Sequence, residues 1–182
     1  GLEISSDKIP YTMRGNLQGG DFEFFENKSS QYITAIMLAS SKSSGKTSIK
    51  LKEKPESLGY IDISREVLKD FNVDVKEENN SYFIKNPQIK SPNNYYVEGD
   101  WSNAAFFYGA NLINSKIKIN NLKEDSLQKD REIVNIIKKI KNCKNENKTL
   151  KIDISQIPDL CPILALLLTY LDKTSYITNG KR

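Results

Sequence analysis

The chain has 182 residues, with 27 Lys and Arg against 23 Asp and Glu for a net charge of +4, and 38% of its residues are hydrophobic. That is enough for one ordinary domain or two small ones with a genuine core, and too mild a basic balance to argue by itself for a nucleic-acid partner. Histidine is absent, which removes histidine general bases, Ser-His triads and most transition-metal sites from this chain.

Cys143 lies in a polar stretch and Cys161 in an apolar one, a usage that matches neither a disulfide framework nor zinc-ligand spacing. No signal peptide is visible, and the longest apolar run, LCPILALLLTYL, is too short to span a bilayer. The chain therefore reads as cytoplasmic, and the Asn-x-Ser/Thr matches at Asn27, Asn79 and Asn147 read as chance. Both ends read as cut: Gly-Leu-Glu-Ile resembles a strand following a helix-ending glycine, and Asn179-Gly180-Lys181-Arg182 follows a strand directly.

In chain order, residues 1–25 predict short strands at Leu2–Ile4, Tyr11–Arg14 and Phe22–Phe25. Ser29 or Ser30 caps a helix running to about Ser40, whose apolar residues Tyr32, Ile33, Ile36, Met37 and Leu38 lie nearly all round and predict burial on every side. A strand follows at Thr47–Lys52, then an amphipathic helix from Tyr60 or Ile61 to Phe71 with Ile63, Val67 and Phe71 on one stripe. Val73–Val75 and Tyr82–Lys85, split by Glu-Glu-Asn-Asn, predict a hairpin. Pro87–Asn94 is the best linker.

Beyond the linker the pattern predicts a strand at Tyr95–Glu98, a turn at Gly99-Asp100, a helix over Ser102–Ile113 and a strand at Lys116–Ile119. A helix over Gln128–Lys141 carries Ile133, Ile136, Ile137 and Ile140 on one face, and Asn142–Lys148 reads as a loop. A strand at Leu150–Ile154, a helix over Asp159–Leu171 and a strand at Ser175–Thr178 complete an α/β alternation of βαβαββ units with a break near residue 94.

Three stretches share one plan, a polar step, an apolar helix and a closing strand. The steps are Ser29-Ser30-Gln31, Ser102-Asn103 and Pro158-Asp159. Each aims the unpaired N–H groups and partial positive charge of a helix start at a strand-ended edge, where a phosphorylated ligand can be held. Two serines and a glutamine exceed what a cap needs, so a phosphate and an ordinary N-cap stand about even there. Ser57 and Tyr60, before the second helix, supply a further hydroxyl and an aromatic wall, though alone they signal little. Asp159 is a good cap, and also a carboxylate able to orient or deprotonate a substrate hydroxyl.

Other strings carry plainer readings. Ser43-Ser44-Gly45-Lys46-Thr47 lacks the P-loop's first glycine, precedes a strand and is a turn. The lysines of 138–148, with no interleaved aromatics, form a solvated helix face. Glu98 and Asp100 read as turn and cap acids.

In order and spacing, SSQYITAIMLAS, ESLGYIDISREVLKDFNV, YYVEGDWSNAAFF, LKEDSLQKD and ISQIPDLCPILALLL resemble the 5-enolpyruvylshikimate-3-phosphate synthase (3-phosphoshikimate 1-carboxyvinyltransferase) family. The resemblance implies the enolpyruvyl transferase fold of two lobes, each built from βαβαββ units, truncated here at both ends. Residues 1–94 would close one lobe and 95–182 would open the other. It implies that Ser29, Ser30 and Ser57 hold the phosphate of shikimate 3-phosphate, that Gln31 lies between the substrates and that Tyr60 lines the ring. Asp159 would bind the ring hydroxyls and act as base for the 5-hydroxyl, which takes the carboxyvinyl group of phosphoenolpyruvate as phosphate leaves. No metal or cofactor is implied, and the intact enzyme would be a monomer without nucleic-acid or membrane partners.

There are departures from the family's pattern. Its Lys-Ser motif with a downstream Arg and its glycine-rich segment with a phosphoenolpyruvate-binding Arg are absent, and its Lys-Glu and later cations would lie beyond Arg182. This chain alone is therefore expected to be inactive. Leu58-Gly59 stands where the family often has Lys-Pro, and the strand pair expected after Lys141 is reduced to 142–148. The related UDP-N-acetylglucosamine enolpyruvyl transferases, and a non-catalytic module binding a phosphorylated ligand, are the alternatives. Ser-Ser-Gln and the Ser57/Tyr60 pair favour the shikimate enzyme over the former.

Overall fold

The computed structural model describes residues 1–25, 29–53, 55, 57–85, 87–146 and 148–180. Asn27 and Asn147 fall outside them. The chain divides into two compact units, Gly1–Tyr95 and Tyr96–Arg182, each with its own core.

The first unit opens with a small antiparallel pair, β1 (Leu2–Ile4) and β2 (Met13–Gly15). A mixed four-stranded sheet follows, built in the order β3 (Asp21–Phe24), α1 (Ser30–Ser40), β4 (Lys46–Leu51), α2 (Leu58–Asp70), β5 (Val75–Glu78) and β6 (Ser81–Lys85). This is one complete βαβαββ unit. In space the strands run β3-β4-β6-β5, with β3 and β4 parallel and the other pairings antiparallel. The β5–β6 hairpin turns at Asn79 and Asn80, both with positive φ (50° and 57°), as a two-residue primed turn requires and asparagine tolerates.

Strand alternation places Ile49 and Leu51, Tyr82 and Ile84, and Val75 against Ile33 and Met37 of α1 and Ile61 and Leu68 of α2. Burying each large aliphatic side chain contributes about 1.5–3 kcal/mol. Tyr82 is enclosed enough that burial, helped by the charge of Glu77, pushes its phenol up to about 12.

Two expectations for these helices change. α1 is not buried all round: Ile33 and Met37 face the sheet and α2, whereas Tyr32 and Leu38 are exposed, because the described chain covers one side of it only. In α2 the fully buried positions are Ile61 and Leu68, while Ile63, Val67 and Phe71 are half-buried on its flank.

The linker 87–94 forms no helix or strand. The second unit contains α3 (Trp101–Ile113), α4 (Ile133–Glu146) entered through a 3-10 turn (Lys129–Glu132), and the parallel strands β7 (Lys151–Asp153) and β8 (Tyr176–Thr178). Between the strands lies α5 (Cys161–Leu168), entered through a second 3-10 turn (Pro158–Leu160). Ile133, Ile136, Ile137 and Ile140 are all buried, as their spacing predicts, against Leu160, Ile163, Leu164 and Leu167. Gly109 lets α3 approach α5, for a Cβ there would come within 2.7 Å of Ile163 Cδ1.

Three expectations fail in this unit. Residues 95–98 and 116–119 form no strand and pair in no ladder. Around them there are only single bonds, Gly99 N–H to the Asn121 carbonyl (2.6 Å) and Asn121 Nδ2 to the Val97 carbonyl (3.3 Å). The tract 142–146 is helical, since α4 runs to Glu146 before Lys148 N–H bonds the Cys143 carbonyl at 3.0 Å. α5 stops at Leu168, short of Leu171, where Thr169 Oγ1 and N–H both turn back onto the Leu166 carbonyl. The exposed lysines of α4 agree with a solvated face.

Candidate functional site

β3 and β4 are parallel neighbours, so the helix that follows each starts at the same edge of the sheet. Lys52 N–H bonds the Phe24 carbonyl at 3.1 Å and ties the two strand ends together there. The structure thus brings five candidates to one edge: Ser29, Ser30 and Gln31 at the start of α1, Ser57 and Tyr60 at the start of α2.

At α1, Ser29 is the N-cap, its Oγ accepting the Gln31 N–H at 3.3 Å. Ser30 is buried, whereas Gln31 is exposed. At α2, Ser57 occupies the cap position with left-handed backbone (φ 58°, ψ 43°) and no side-chain capping bond. It is buried, while Tyr60 is 38% exposed. Neither helix has an acidic residue in its first turn, so the positive ends of both dipoles are uncompensated. Lys52 adds a cation at this edge, its Nζ lying 4.3 Å from the centre of the Phe25 ring. Hydroxyls, helix-start N–H groups and positive charge, with no acidic residue in either first turn, are what an anionic ligand needs.

Asp159 belongs to the other unit. It is exposed in the 3-10 turn before α5, so the electrostatics of this helix start are opposite to those of α1 and α2. Nearby, Asp100 caps α3 by accepting Ser102 N–H (2.8 Å), Ser102 Oγ (2.7 Å), Asn103 N–H (3.3 Å) and Asn103 Nδ2 (2.6 Å). Burial pushes its carboxyl up, but these donors outweigh burial and hold it below the usual range. The capping reading of Asp100 stands.

Sequence reasoning missed two side chains here. Gln128 Oε1 accepts the Trp101 N–H at 2.8 Å, and its Nε2 donates to Glu98 Oε1 and the Gly99 carbonyl, both at 3.0 Å. It sews the start of α3 to the turn before α4. Asp130, in that turn, is buried; burial first and the charge of Asp159 second push its carboxyl up to about 6. Both lie inside the motif LKEDSLQKD, yet an acid early in a helix ordinarily reads as a solvated dipole partner. On the same unit, Lys129, Arg131 and Glu132 help line an open cavity of about 460 Å³ that contains none of the candidate residues. Among the described residues no cluster of three or more His, Cys, Asp or Glu side chains is placed to hold a metal ion. No helix among them is long and apolar enough to cross a membrane.

A family model described as EPSP synthase (3-phosphoshikimate 1-carboxyvinyltransferase) matches residues 1–182. The chain belongs to the EPSP synthase family. Relatives named 3-phosphoshikimate 1-carboxyvinyltransferase from Clostridium novyi and Clostridium beijerinckii are each 36% identical, over 99% and 92% of this chain. The chain spans 44% and 42% of their respective lengths. Among solved structures, EPSP synthase from Acinetobacter baumannii matches with a TM-score of 0.57 and 23% identity, covering 78% of this chain and 32% of that one. At that identity the likeness speaks for the fold: the mixed α/β architecture here is that of an EPSP synthase.

Proposed function

We propose that this chain carries the shikimate 3-phosphate side of an active site that transfers the carboxyvinyl group of phosphoenolpyruvate to the 5-hydroxyl of that substrate, releasing phosphate. The supporting observation is the sheet edge where α1 and α2 begin, with five family-type polar residues and two helix starts that carry no acidic residue in their first turns.

On this reading Ser29, Ser30 and Ser57 hold the substrate phosphate through hydroxyls and N–H groups, and Gln31 reaches between the two substrates. Tyr60, partly exposed, offers its ring as a wall for the cyclohexene. Asp159 accepts the proton of the 5-hydroxyl as its oxygen adds to C2 of phosphoenolpyruvate, while C3 gains a proton. The tetrahedral adduct then loses a proton from C3 and expels phosphate from C2, which restores the vinyl double bond. Residues 1–94 belong to the end of one lobe and 95–182 to the start of the other. The enzyme acts as a monomer in the cytoplasm.

The test is phosphate release from both substrates by the full-length protein and its Asp159→Asn variant. Loss of a general base predicts a fall in kcat of about 10²–10⁴-fold. An unchanged kcat contradicts the role of Asp159, and absence of turnover in the parent protein contradicts the activity.

A further inference from the structure

At the end of β4 away from the candidate site, a pair of like charges has no part in the proposed reaction. Lys46, the first residue of β4, is the direct cross-strand partner of Lys85, the last residue of β6. Strand alternation sends Thr47, Ile49, Tyr82 and Ile84 inward, so both lysines stand exposed on the outer face of the sheet. Like charges at directly opposed positions of an antiparallel pair are destabilising. A third exposed lysine, Lys76 of β5, lies opposite Phe83 on the same face.

No acid relieves this pair. Among the described residues neither Lys46 nor Lys85 makes an ion pair or a side-chain hydrogen bond. Glu23 pairs instead with Lys50 at 3.4 Å, and Asp21 accepts the Ser48 hydroxyl. Glu78 is opposite Ser81, towards the hairpin turn, and Asp74, just before β5, contacts neither lysine through an ion pair.

The ground beside Lys46 is also free of side chains. A Cβ on Gly19 would come within 2.2 Å of the Lys46 carbonyl oxygen, so only bare backbone fits there. Gly45, just before Lys46, has a positive φ of 91°, and open space surrounds the position of its missing Cβ. Two cations without counter-ions thus border a surface on which a small ion meets no competing side chain from either glycine.

We propose that Lys46 and Lys85, with Lys76 beside them, bind a divalent oxyanion of the phosphate type. A dianion between the two ammonium groups replaces a repulsion with two charge-assisted contacts. No covalent step is involved. The site lies at the other end of β4 from Lys52 and the starts of α1 and α2, so it does not depend on the proposed catalytic roles.

Inorganic phosphate is titrated into the ¹⁵N-labelled 182-residue chain at constant ionic strength, with chloride as the balancing ion. The amides of Gly45, Lys46 and Lys85 should shift along a saturating curve. Lys85→Gln, a change at an exposed position, should weaken that curve about 2–5-fold, as loss of one exposed charge contact predicts; Lys46→Gln should do the same. In chloride alone each variant should melt at a higher temperature than the parent, and phosphate should narrow the gap. Shifts confined to Ser29, Ser30 and Gln31, or equal affinity in parent and variants, overturn the site. Variants no more stable than the parent in chloride overturn the repulsion from which it is inferred.

Discussion

The Ser57 carbonyl accepts the Tyr60 N–H at 3.1 Å, closing the first turn of α2 while Ser57 itself holds a left-handed backbone. A non-glycine residue there carries a local conformational cost, and serine does not repay it with a capping bond. The phosphate-binding role proposed for the hydroxyl would account for serine at this position.

Replacing that serine separates the two contributions. Ser57→Gly should leave stability equal or raise it by up to about 1 kcal/mol, because glycine adopts this conformation freely. Affinity for shikimate 3-phosphate should fall. Urea unfolding and calorimetric titration of the same variant check both halves; a variant that loses stability and keeps its affinity has the roles reversed.

Gln128→Ala should cost about 1–3 kcal/mol, since it leaves the buried Trp101 N–H without the acceptor 2.8 Å away and removes both bonds from Nε2. Chemical unfolding measures the loss. An effect within a few tenths of a kcal/mol would mean that water replaces the amide.

Leu164, on α5 and fully buried in the second core, should behave as a cavity site. Leu164→Ala should destabilise that unit by about 2–5 kcal/mol. Thermal unfolding monitored at Trp101, in the same core, reports it directly.

Asp130 predicts a pH dependence of stability. Its carboxyl is raised from 3.8 to about 6 in the folded chain, so between these values the folded state binds more protons than the unfolded one. Stability should therefore fall as pH rises through that window, by on the order of 1–3 kcal/mol in total. Below the unfolded value there is no penalty, and above about 6 it is complete. Unfolding at pH 4.5 and 7.5 should show this decline in the parent chain and a smaller one in Asp130→Asn; parallel declines would place the titration elsewhere.

Some elements were legible because their signals are local. The stripe Ile133, Ile136, Ile137 and Ile140 is buried as its spacing requires, and Ser29 caps the helix that its position announced. Elements that depend on a neighbour were not. Residues 95–98 and 116–119 have the alternation of strands but lack a ladder partner among the described residues. The apolar density around α1 could not tell which faces would be covered, and Tyr32 and Leu38 remain exposed. Asp130 escaped notice for a related reason: the polar turn that contains it says nothing of the burial that the folded unit imposes on it. Within the candidate site, residue types and order were readable, whereas the shared edge of α1 and α2 follows only from the parallel pairing of β3 with β4.

Ser30, the buried hydroxyl at the start of α1, is central to the proposed phosphate site. Shikimate 3-phosphate titrated calorimetrically into the full-length protein should bind the Ser30→Ala variant about 10–100-fold more weakly than the parent, as loss of a hydrogen bond to a charged group requires. Equal affinity in the two proteins would contradict the assignment of this sheet edge to the substrate phosphate.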